Sequence, residues 1–494
     1  MRYIGVDLGT SAVKLLLMEE DGTMVKSVSR EYPLSMPRPG WSEQDPADWE
    51  REVVLGIRQL LEGEDPSQVR GLGVGGQMHG LVALDEAGQV LRPAILWNDG
   101  RTGEENAWLN EAFGADRLAA LTGNISFAGF TAPKLLWMKK HEPALFDRIR
   151  RVMLPKDYLV WRLTGVHSAD PSDASGMLLF DVEHRRWSPE MLEVCSLREE
   201  QMGRVHESSE AVGTLTAEAA RRTGLSPHVR VVAGAGDNAA AAVGTGTVGD
   251  GLCNISVGTS GTIFLAGDRF VNPRNHAIHS FCHADGGWHL MGCQLSAAAC
   301  NQWWSGILRT RDYAGEQAEI DPDRLGRNRV LWLPYLMGER TPHNDALARA
   351  AFLGMSMDTD RADMTLAVLE GVAFGLKDGL LAMEESGKQL RRSRICGGGA
   401  KSPLWRKILA NVLGLELDLL AAEEGPALGG AMLAAVGCGA YGTVAEAAEQ
   451  IVRTVGAVEP EPALAARYEE RYNVWREAYP RLRELYPRLA PEGV

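Results

Sequence analysis

The chain has little that is typical of a membrane, secreted or nucleic-acid-binding protein. Its 494 residues contain no uninterrupted apolar run near the length of about 18 residues that a membrane helix needs. The first predicted strand begins too close to Met1 to leave room for a signal peptide. The seven cysteines form no C-x-x-C pair, which is typical of a reducing compartment. A net charge of −14 disfavours general binding of nucleic acid or anionic membranes, and we expect a cytoplasmic protein.

Two common phosphate-binding motifs are also missing or poorly placed. No segment matches G-x-x-x-x-G-K-[ST], which excludes a Walker-type site. Residues 244–249 match G-x-G-x-x-G, but no predicted helix follows and no acidic residue is placed for a ribose. We interpret this segment as a connection between two halves of the chain. The length suits two domains, which we predict as residues 1–244 and 245–494.

One short phrase occurs twice, about half the chain length apart. Residues 6–17 read VDLGTSAVKLLL, and residues 255–266 read ISVGTSGTIFLA. Each copy predicts a β-hairpin whose turn exposes backbone N–H groups, and such groups form an anion-binding concavity. A single turn of this kind is usually only a hairpin, but two matched copies favour a duplicated phosphate-binding architecture. The predicted phosphate-binding residues are Gly9, Thr10, Ser11, Gly258, Thr259 and Ser260.

The two copies differ at one informative position, where the first has Asp7 and the second has Ser256. A carboxylate beside a phosphate cradle repels the phosphate unless a cation lies between them. Mg²⁺ prefers carboxylate and phosphate oxygens as ligands. The sequence therefore predicts a magnesium site at Asp7.

The order of predicted elements is similar in both halves. Strands around the hairpin come first and helices follow, including a long helix predicted over residues 363–385. This order predicts two α/β lobes with a cleft between them.

Residues 231–244 predict a strand, a glycine turn and a helix of small residues, with Asp237 and Asn238 at the turn. The small neighbours leave room for a substrate to reach the Asp237 carboxylate, which could accept a proton from an attacking hydroxyl. Alternatively, Asp237 only caps the helix. The duplicated phosphate cradle makes general-base catalysis the better interpretation.

Met78 and His79 follow a buried strand, at the position where α/β folds bind ligands. The imidazole can bond sugar hydroxyls and the thioether can contact a carbon face, although a lone histidine is more often structural. Residues 276–289 hold four histidines beside Cys282, but no pair has a familiar zinc spacing, which favours structural roles. Residues 397–400, Gly-Gly-Gly-Ala, suit a nucleotide lying against backbone, or only a bend.

With these residues in view, the chain resembles the FGGY carbohydrate kinases, in the superfamily of actin, hexokinase and the Hsp70 ATPase. The two family signatures resemble GFTAPKLLWMKKH (residues 129–141) and AAFLGMSMDTDRADMTLAVLE (residues 350–370). Segments such as GQMHG, LPKDYL, AGAGDNAA and GGGAKSPLW are similar to those of the members that phosphorylate D-xylulose. Glycerol kinases carry Arg-Glu where this chain has Met78-His79, which disfavours glycerol.

The resemblance implies two actin-like (ribonuclease H-like) α/β domains from an internal duplication, with a deep interdomain cleft. It implies an ATP- and Mg²⁺-dependent kinase in which Asp7 organises the metal and Asp237 is the general base. The implied sugar-binding residues are Met78, His79, Lys156, Asp237 and Asn238. The implied nucleotide site adds Gly398, Gly399, Ala400 and Trp303 to the two hairpin turns. We also expect a homodimer.

Two rival functions remain open at this point. One is an FGGY kinase of the ribulose, glycerol or gluconate type. The other is a catalytically silent, actin-like ATP-binding sensor, against which the presence of both Asp7 and Asp237 argues.

Overall fold

Each half of the chain builds a seven-stranded sheet around its Gly-Thr-Ser hairpin, as predicted. The computed structural model describes residues 1–273, 275–384, 387, 390–422 and 424–489. The first sheet contains β1 (Arg2–Leu8), β2 (Ala12–Glu19), β3 (Met24–Glu31), β4 (Val69–Gly76), β5 (Ala211–Thr214), β6 (Arg230–Val232) and β7 (Ala235–Gly236). The second contains β8 (Cys253–Val257), β9 (Gly261–Gly267), β10 (His279–Cys282), β11 (Trp288–Gln294), β12 (Arg392–Cys396), β13 (Glu416–Leu420) and β14 (Thr454–Val458).

The two sheets share one strand topology. The first has the order β5-β6-β4-β1-β2-β3, with β7 paired to β4, and the second has the order β10-β11-β9-β8-β12-β13-β14. In each sheet the first hairpin strand pairs antiparallel with the second and parallel with a strand that arrives after a crossover, β4 or β12. The strand order β3-β2-β1-β4-β6 in the first sheet matches β11-β9-β8-β12-β13 in the second. The repeated sequence phrase forms the hairpin at the same place in both orders.

Helices connect and cover the sheets. In chain order they are α1 (Pro46–Leu60), α2 (Gly103–Trp108), α3 (Ala115–Thr122), α4 (Thr131–His141), α5 (Pro143–Phe146), α6 (Pro155–Thr164), α7 (Pro171–Ala174), α8 (Pro189–Val194), α9 (Ala217–Thr223), α10 (Asp237–Gly244), α11 (Ala298–Ile307), α12 (Tyr313–Ala318), α13 (Arg361–Glu384), α14 (Pro403–Leu413), α15 (Gly425–Gly437), α16 (Val444–Ile451), α17 (Pro462–Trp475), α18 (Ala478–Leu482) and α19 (Tyr486–Leu489). A π-helical turn, Leu109–Gly114, joins α2 to α3. The predicted long helix is α13.

Short strands form small sheets outside the two main ones. They are Glu43–Gln44, Val82–Leu84, Ala94–Ile95, Arg151–Met153, Ser168–Ala169, Phe180–Asp181, Arg186–Trp187, Arg204–Val205, Leu331–Leu333 and Ala351–Leu353. Over the described part of the chain, every helix is too short or too polar to cross a bilayer.

Helices α10 and α15 pack against each other, and only glycine permits their closest contacts. A Cβ on Gly429 of α15 would lie 1.8 Å from the carbonyl oxygen of Ala240 in α10. A Cβ on Gly5 of β1 would lie 1.8 Å from the carbonyl oxygen of Ala427. Helix α15 therefore lies directly on the first sheet although its sequence belongs to the second half. The domain boundary at residue 244 stays a prediction. It divides the chain by sequence order, whereas the packing of α15 does not follow that division.

Strands β10 and β11 form a second junction between the two halves of the chain. Asn124 donates to the carbonyl oxygen of Ser280 at 2.8 Å, and its side-chain oxygen accepts from the Ser280 amide. Trp288 donates through its indole N–H to the carbonyl oxygen of Val182 at 2.7 Å. His279, His283 and His289 are buried in this junction among aromatic rings, which agrees with structural roles.

Candidate active site

Asp7 and Asp237 form an acidic pair where β1 ends and α10 begins. Burial raises the pKa of the Asp7 carboxyl to about 7, and the nearby charge of Asp237 adds to this shift. Burial also raises the pKa of Asp237 to about 6, although the carboxylate accepts from the Asn238 amide at 2.7 Å. Two partly buried carboxyls that repel one another are an arrangement that a hard divalent cation relieves. The residues therefore fit the predicted Mg²⁺.

Asp237 does not cap α10. The N-cap residue is Gly236, which has no side chain to bond the free amides of the first turn. Instead, Asp237 Oδ1 accepts from the amide and the side-chain nitrogen of its neighbour Asn238, the latter at 3.1 Å. No described residue donates to Oδ2 of Asp237, so its lone pairs are available to a ligand, which suits a general base.

The first hairpin turn presents free backbone donors. In the described part of the chain, the N–H groups of Thr10 and Ser11 donate to no protein acceptor. The turn's carbonyl oxygens are bonded, since Gln77 donates to that of Gly9 at 3.3 Å and Gln44 to that of Thr10 at 2.6 Å. A rigid turn with free amides can bind phosphate oxygens.

The second turn has the same construction. Ala298 donates to the carbonyl oxygen of Gly258 at 2.8 Å, and Ala297 donates to that of Thr259 at 2.9 Å. The N–H groups of Thr259 and Ser260 have no acceptor among the described residues. Both turns therefore offer N–H groups from a scaffold whose carbonyl oxygens are already satisfied.

His79 has a strained backbone and an oriented ring. Its φ of +69° lies in the left-handed region, which is uncommon outside glycine and is concentrated at functional sites. Lys134 and Thr131 donate to its carbonyl oxygen at 2.7 and 3.1 Å and hold this peptide. The ring stacks on Phe130, with centroids 4.4 Å apart. Burial lowers the pKa of His79 to about 3, so the imidazole is neutral.

Met78 links His79 to the acidic pair. The Asn238 side-chain nitrogen lies 3.8 Å from the Met78 sulfur. A neutral ring, a thioether and the Asp237 carboxylate therefore line one small region, as the sequence predicted for a sugar site. This combination can bind hydroxyl groups, contact carbon and accept a proton.

A cavity of about 670 Å³ opens beside the second hairpin turn. Its lining includes Thr259, Gly398, Gly399 and Tyr313. Gly398 faces open space, whereas a Cβ on Gly397 would lie 2.7 Å from the Val257 carbonyl carbon. Gly397 therefore permits the bend, and Gly398 leaves open space beside the cavity. The nucleotide contact of this glycine run stays a prediction.

Three predicted ligand-contacting residues do not line this cavity. Lys156 is fully buried and its ammonium contacts Asp157, Asp170 and the carbonyl oxygen of Ala233, which favours a structural role. Trp303 is partly exposed and stacks on Trp332 at 5.2 Å, outside the cavity lining. Ala400 is also outside that lining. Their ligand contacts stay predictions.

Comparison with known proteins shows the family in which this arrangement of hairpin turns, carboxylates and cavity occurs. The N-terminal domain model of the FGGY family of carbohydrate kinases matches residues 2–244, and the C-terminal domain model matches residues 253–438. The chain belongs to the FGGY family of carbohydrate kinases. It is thus a carbohydrate kinase that uses ATP, and the predicted actin-like fold is confirmed.

Similar FGGY kinases cover nearly the whole chain. A xylulose kinase of Escherichia coli (strain K12) is 40% identical over 482 residues, which are 97% of this chain and 99% of that protein. A xylulose kinase of Klebsiella pneumoniae is 43% identical over 436 residues, 88% of this chain and 89% of that protein. The crystal structure of a xyloylose kinase from Brucella ovis is 41% identical, covers 98% of this chain and 100% of that chain, and superposes with a TM-score of 0.92.

The FGGY site contains further side chains that sequence reasoning missed. Lys14 is the cross-strand partner of Asp7 and forms an ion pair with Glu424 at 2.5 Å. Its charge lowers the pKa of Asp7 against the larger effect of burial. Trp97 is 42% exposed and donates through its indole N–H to the Thr10 hydroxyl at 2.9 Å. Lys14 could have been found from the hairpin register, but Trp97 and Glu424 come from distant segments.

Proposed function

We propose that this FGGY kinase transfers the γ-phosphoryl group of ATP to the 5-hydroxyl of D-xylulose. The observation that carries the proposal is the meeting of Asp237 with Met78 and His79 in one region. A carboxylate with a pKa near 6 is a fitting base for a hydroxyl at neutral pH. The nearby strand end offers a neutral ring nitrogen and a thioether, which suit a sugar. The similarity to xylulose kinases supports the choice of acceptor.

The proposed mechanism assigns one task to each group. Asp237 accepts the proton of the attacking hydroxyl, and His79 and Asn238 hold other hydroxyls of the sugar. The free amides of Thr10, Ser11, Thr259 and Ser260 bind phosphate oxygens and stabilise the charge spread over them during transfer. A bound Mg²⁺ would be held at Asp7 and would neutralise part of the phosphate charge. The cavity at Gly398 takes the adenine nucleotide.

The site also has to keep water away from the γ-phosphoryl group, because water is the more abundant nucleophile. Closure of the two lobes over the sugar would exclude it. The proposal includes a cytoplasmic homodimer as the working form, which light scattering after gel filtration would test.

A panel of acceptors tests the proposal. ADP release is measured with D-xylulose, L- and D-ribulose, glycerol and D-gluconate at saturating ATP and Mg²⁺. We expect D-xylulose to have the highest kcat/KM, with the product phosphorylated at O5 by NMR. A tenfold lead for another acceptor, about 1.4 kcal/mol of transition-state binding, would show that the acceptor is wrong. No turnover of any acceptor would favour the silent sensor.

A further inference from the structure

Arg340 has a fixed backbone, and its guanidinium forms no hydrogen bond or ion pair with the residues that the structure describes. Glu339 accepts from the amides of Leu295 and Arg340 at 2.9 and 2.8 Å. Thr341 donates its amide to the carbonyl oxygen of Cys293 at 3.0 Å and its hydroxyl to that of Ala277 at 2.7 Å. The residues on both sides are therefore fixed to the second sheet. Through the described part of the chain, no ion pair or hydrogen bond uses the Arg340 guanidinium.

Two partly buried arginines of the first half are paired with carboxylates. Arg92 contacts Glu43 and Glu142, and Arg101 contacts Asp99 and Glu43. Arg340 is also partly buried, and its guanidinium lies over the face of the Phe127 ring, 5.0 Å from the centroid. Its charge opposes the rise in the pKa of Glu339 that burial causes. Guanidinium N–H groups that meet no protein acceptor can donate to a ligand.

Arg340 lies at the His79 end of the sugar site. Phe127 packs on Phe130, with centroids 5.4 Å apart, and Phe130 stacks on His79. The pKa of His79 is lowered mainly by burial, and the positive charges of Lys134 and Arg340 add to that shift. The series of packed rings places the guanidinium near the His79 end of the sugar site.

The chemistry of the proposed acceptor requires a hydrogen-bond donor in the sugar site, in addition to the general base. A pentulose closes its furanose ring through O5, so a sugar that accepts phosphate on O5 must be in the open-chain form. The open chain exposes the C2 carbonyl, which cannot donate a hydrogen bond and needs a donor. His79 cannot be that donor, because its Nδ1 proton is bonded to Gly176. The Arg340 guanidinium has only donors.

We propose that Arg340 donates hydrogen bonds to the C2 carbonyl oxygen of the open-chain ketose and thereby selects a ketose over a polyol. This inference rests on the proposed function. A site built to donate to one substrate oxygen discriminates strongly against an analogue that lacks the matching acceptor geometry. Because Arg340 belongs to the second lobe and His79 to the first, the ketose would be held by both lobes.

The test compares D-xylulose with xylitol, which has a hydroxyl in place of the carbonyl. For Arg340→Gln we expect kcat/KM for D-xylulose to fall about tenfold to hundredfold, mainly through KM. The KM of ATP and the rate or inhibition constant with xylitol should change less than threefold. Arg340→Lys keeps the charge without the planar fork and should be intermediate. Arg349→Gln is the matched control, since Arg349 lies in the same segment and bonds the carbonyl oxygens of Ala346 and Ala348.

The outcomes separate the two proposals. If the wild-type enzyme does not use D-xylulose, the proposed function fails before Arg340 is tested. If it does, an unchanged ratio of D-xylulose to xylitol in both Arg340 variants overturns the inference alone. An equal loss with both acceptors also overturns it, because a merely structural residue would affect them alike. Thermal midpoints of all variants identify any loss of folding. If Arg340→Gln does not fold, the ratio of D-xylulose to xylitol measured for Arg340→Lys decides.

Discussion

The His79 ring donates from Nδ1 to the carbonyl oxygen of Gly176, with 2.8 Å between the two atoms. A carbonyl oxygen only accepts, so Nδ1 carries the proton and Nε2 of the neutral ring is left as an acceptor. This one bond fixes the ring nitrogen that meets the sugar. It also explains why a histidine, rather than a longer polar side chain, suits the strained strand end.

Replacing His79 should weaken sugar binding selectively. We expect His79→Ala to raise the KM of D-xylulose at least tenfold, about 1.4 kcal/mol, with little change in the KM of ATP. Steady-state kinetics with each substrate varied in turn measures both constants. The exposed His228→Ala serves as the control. A selective rise in the KM of ATP would place this strand end at the nucleotide and contradict the proposed site.

The two hairpins should respond differently to loss of their distinguishing residue. We expect Asp7→Asn to lower Mg²⁺-supported turnover by about a hundredfold or more, because the metal loses its carboxylate. Ser256→Ala should have a much smaller effect, since the second turn binds phosphate through amides. A magnesium titration of activity compares the two variants. Equal losses would show that the asymmetry between the copies has no role in metal binding.

Asp7→Asn should also stabilise the ligand-free protein at high pH. The pKa of Asp7 is about 7 in the folded state against an ordinary value of 3.8, so the folded state holds a proton that the unfolded chain has lost between these values. Stability therefore falls as pH rises through that window, and asparagine escapes the loss. We expect a higher thermal midpoint than wild type at pH 8 and a smaller difference at pH 5. Asp268→Asn, at an exposed position, should show no such trend.

Gly398 should control access to the nucleotide cavity. A Cβ at this position meets no atom within 4 Å, so Gly398→Val should fold and place its side chain in the cavity. We expect the KM of ATP to rise while the KM of D-xylulose stays close to wild type. Gly103→Val, at another open position in the first half, is the matched control. An unchanged KM of ATP would mean that the nucleotide binds elsewhere.

Much of the fold followed from local sequence patterns. The repeated Gly-Thr-Ser phrase predicted both hairpins, because the turn residues and flanking apolar runs act within about ten residues. Helix α10 and the strand before it were visible for the same reason. The roles of Asp7 and Asp237 could be predicted only by combining the duplicated phosphate cradle with each local motif.

Long-range contacts could not be predicted in this way. The contact between α10 and α15 depends on a close approach at Gly429, and the packing of α15 on β1 depends on one at Gly5. Nothing in the local sequence indicates which backbone each glycine meets. The motif around Lys156 predicts a ligand-contacting residue, which stays a prediction, but that motif does not indicate the ion pair that the Lys156 ammonium forms with the distant Asp170. The Phe127 ring that Arg340 covers likewise lies in a distant segment, so the place of Arg340 near His79 emerges only in three dimensions.

The most direct test of the account is kcat for Asp237→Asn, measured with ATP affinity and thermal midpoint on one preparation. Asparagine keeps the size and much of the hydrogen bonding but lacks the basic oxygen. General-base assistance contributes about 10²–10⁴ in rate, so kcat should fall by at least a hundredfold while ATP affinity stays close to wild type and the thermal midpoint does not fall. An Asp237→Asn enzyme with kcat near wild type would contradict the assignment of Asp237 as the base.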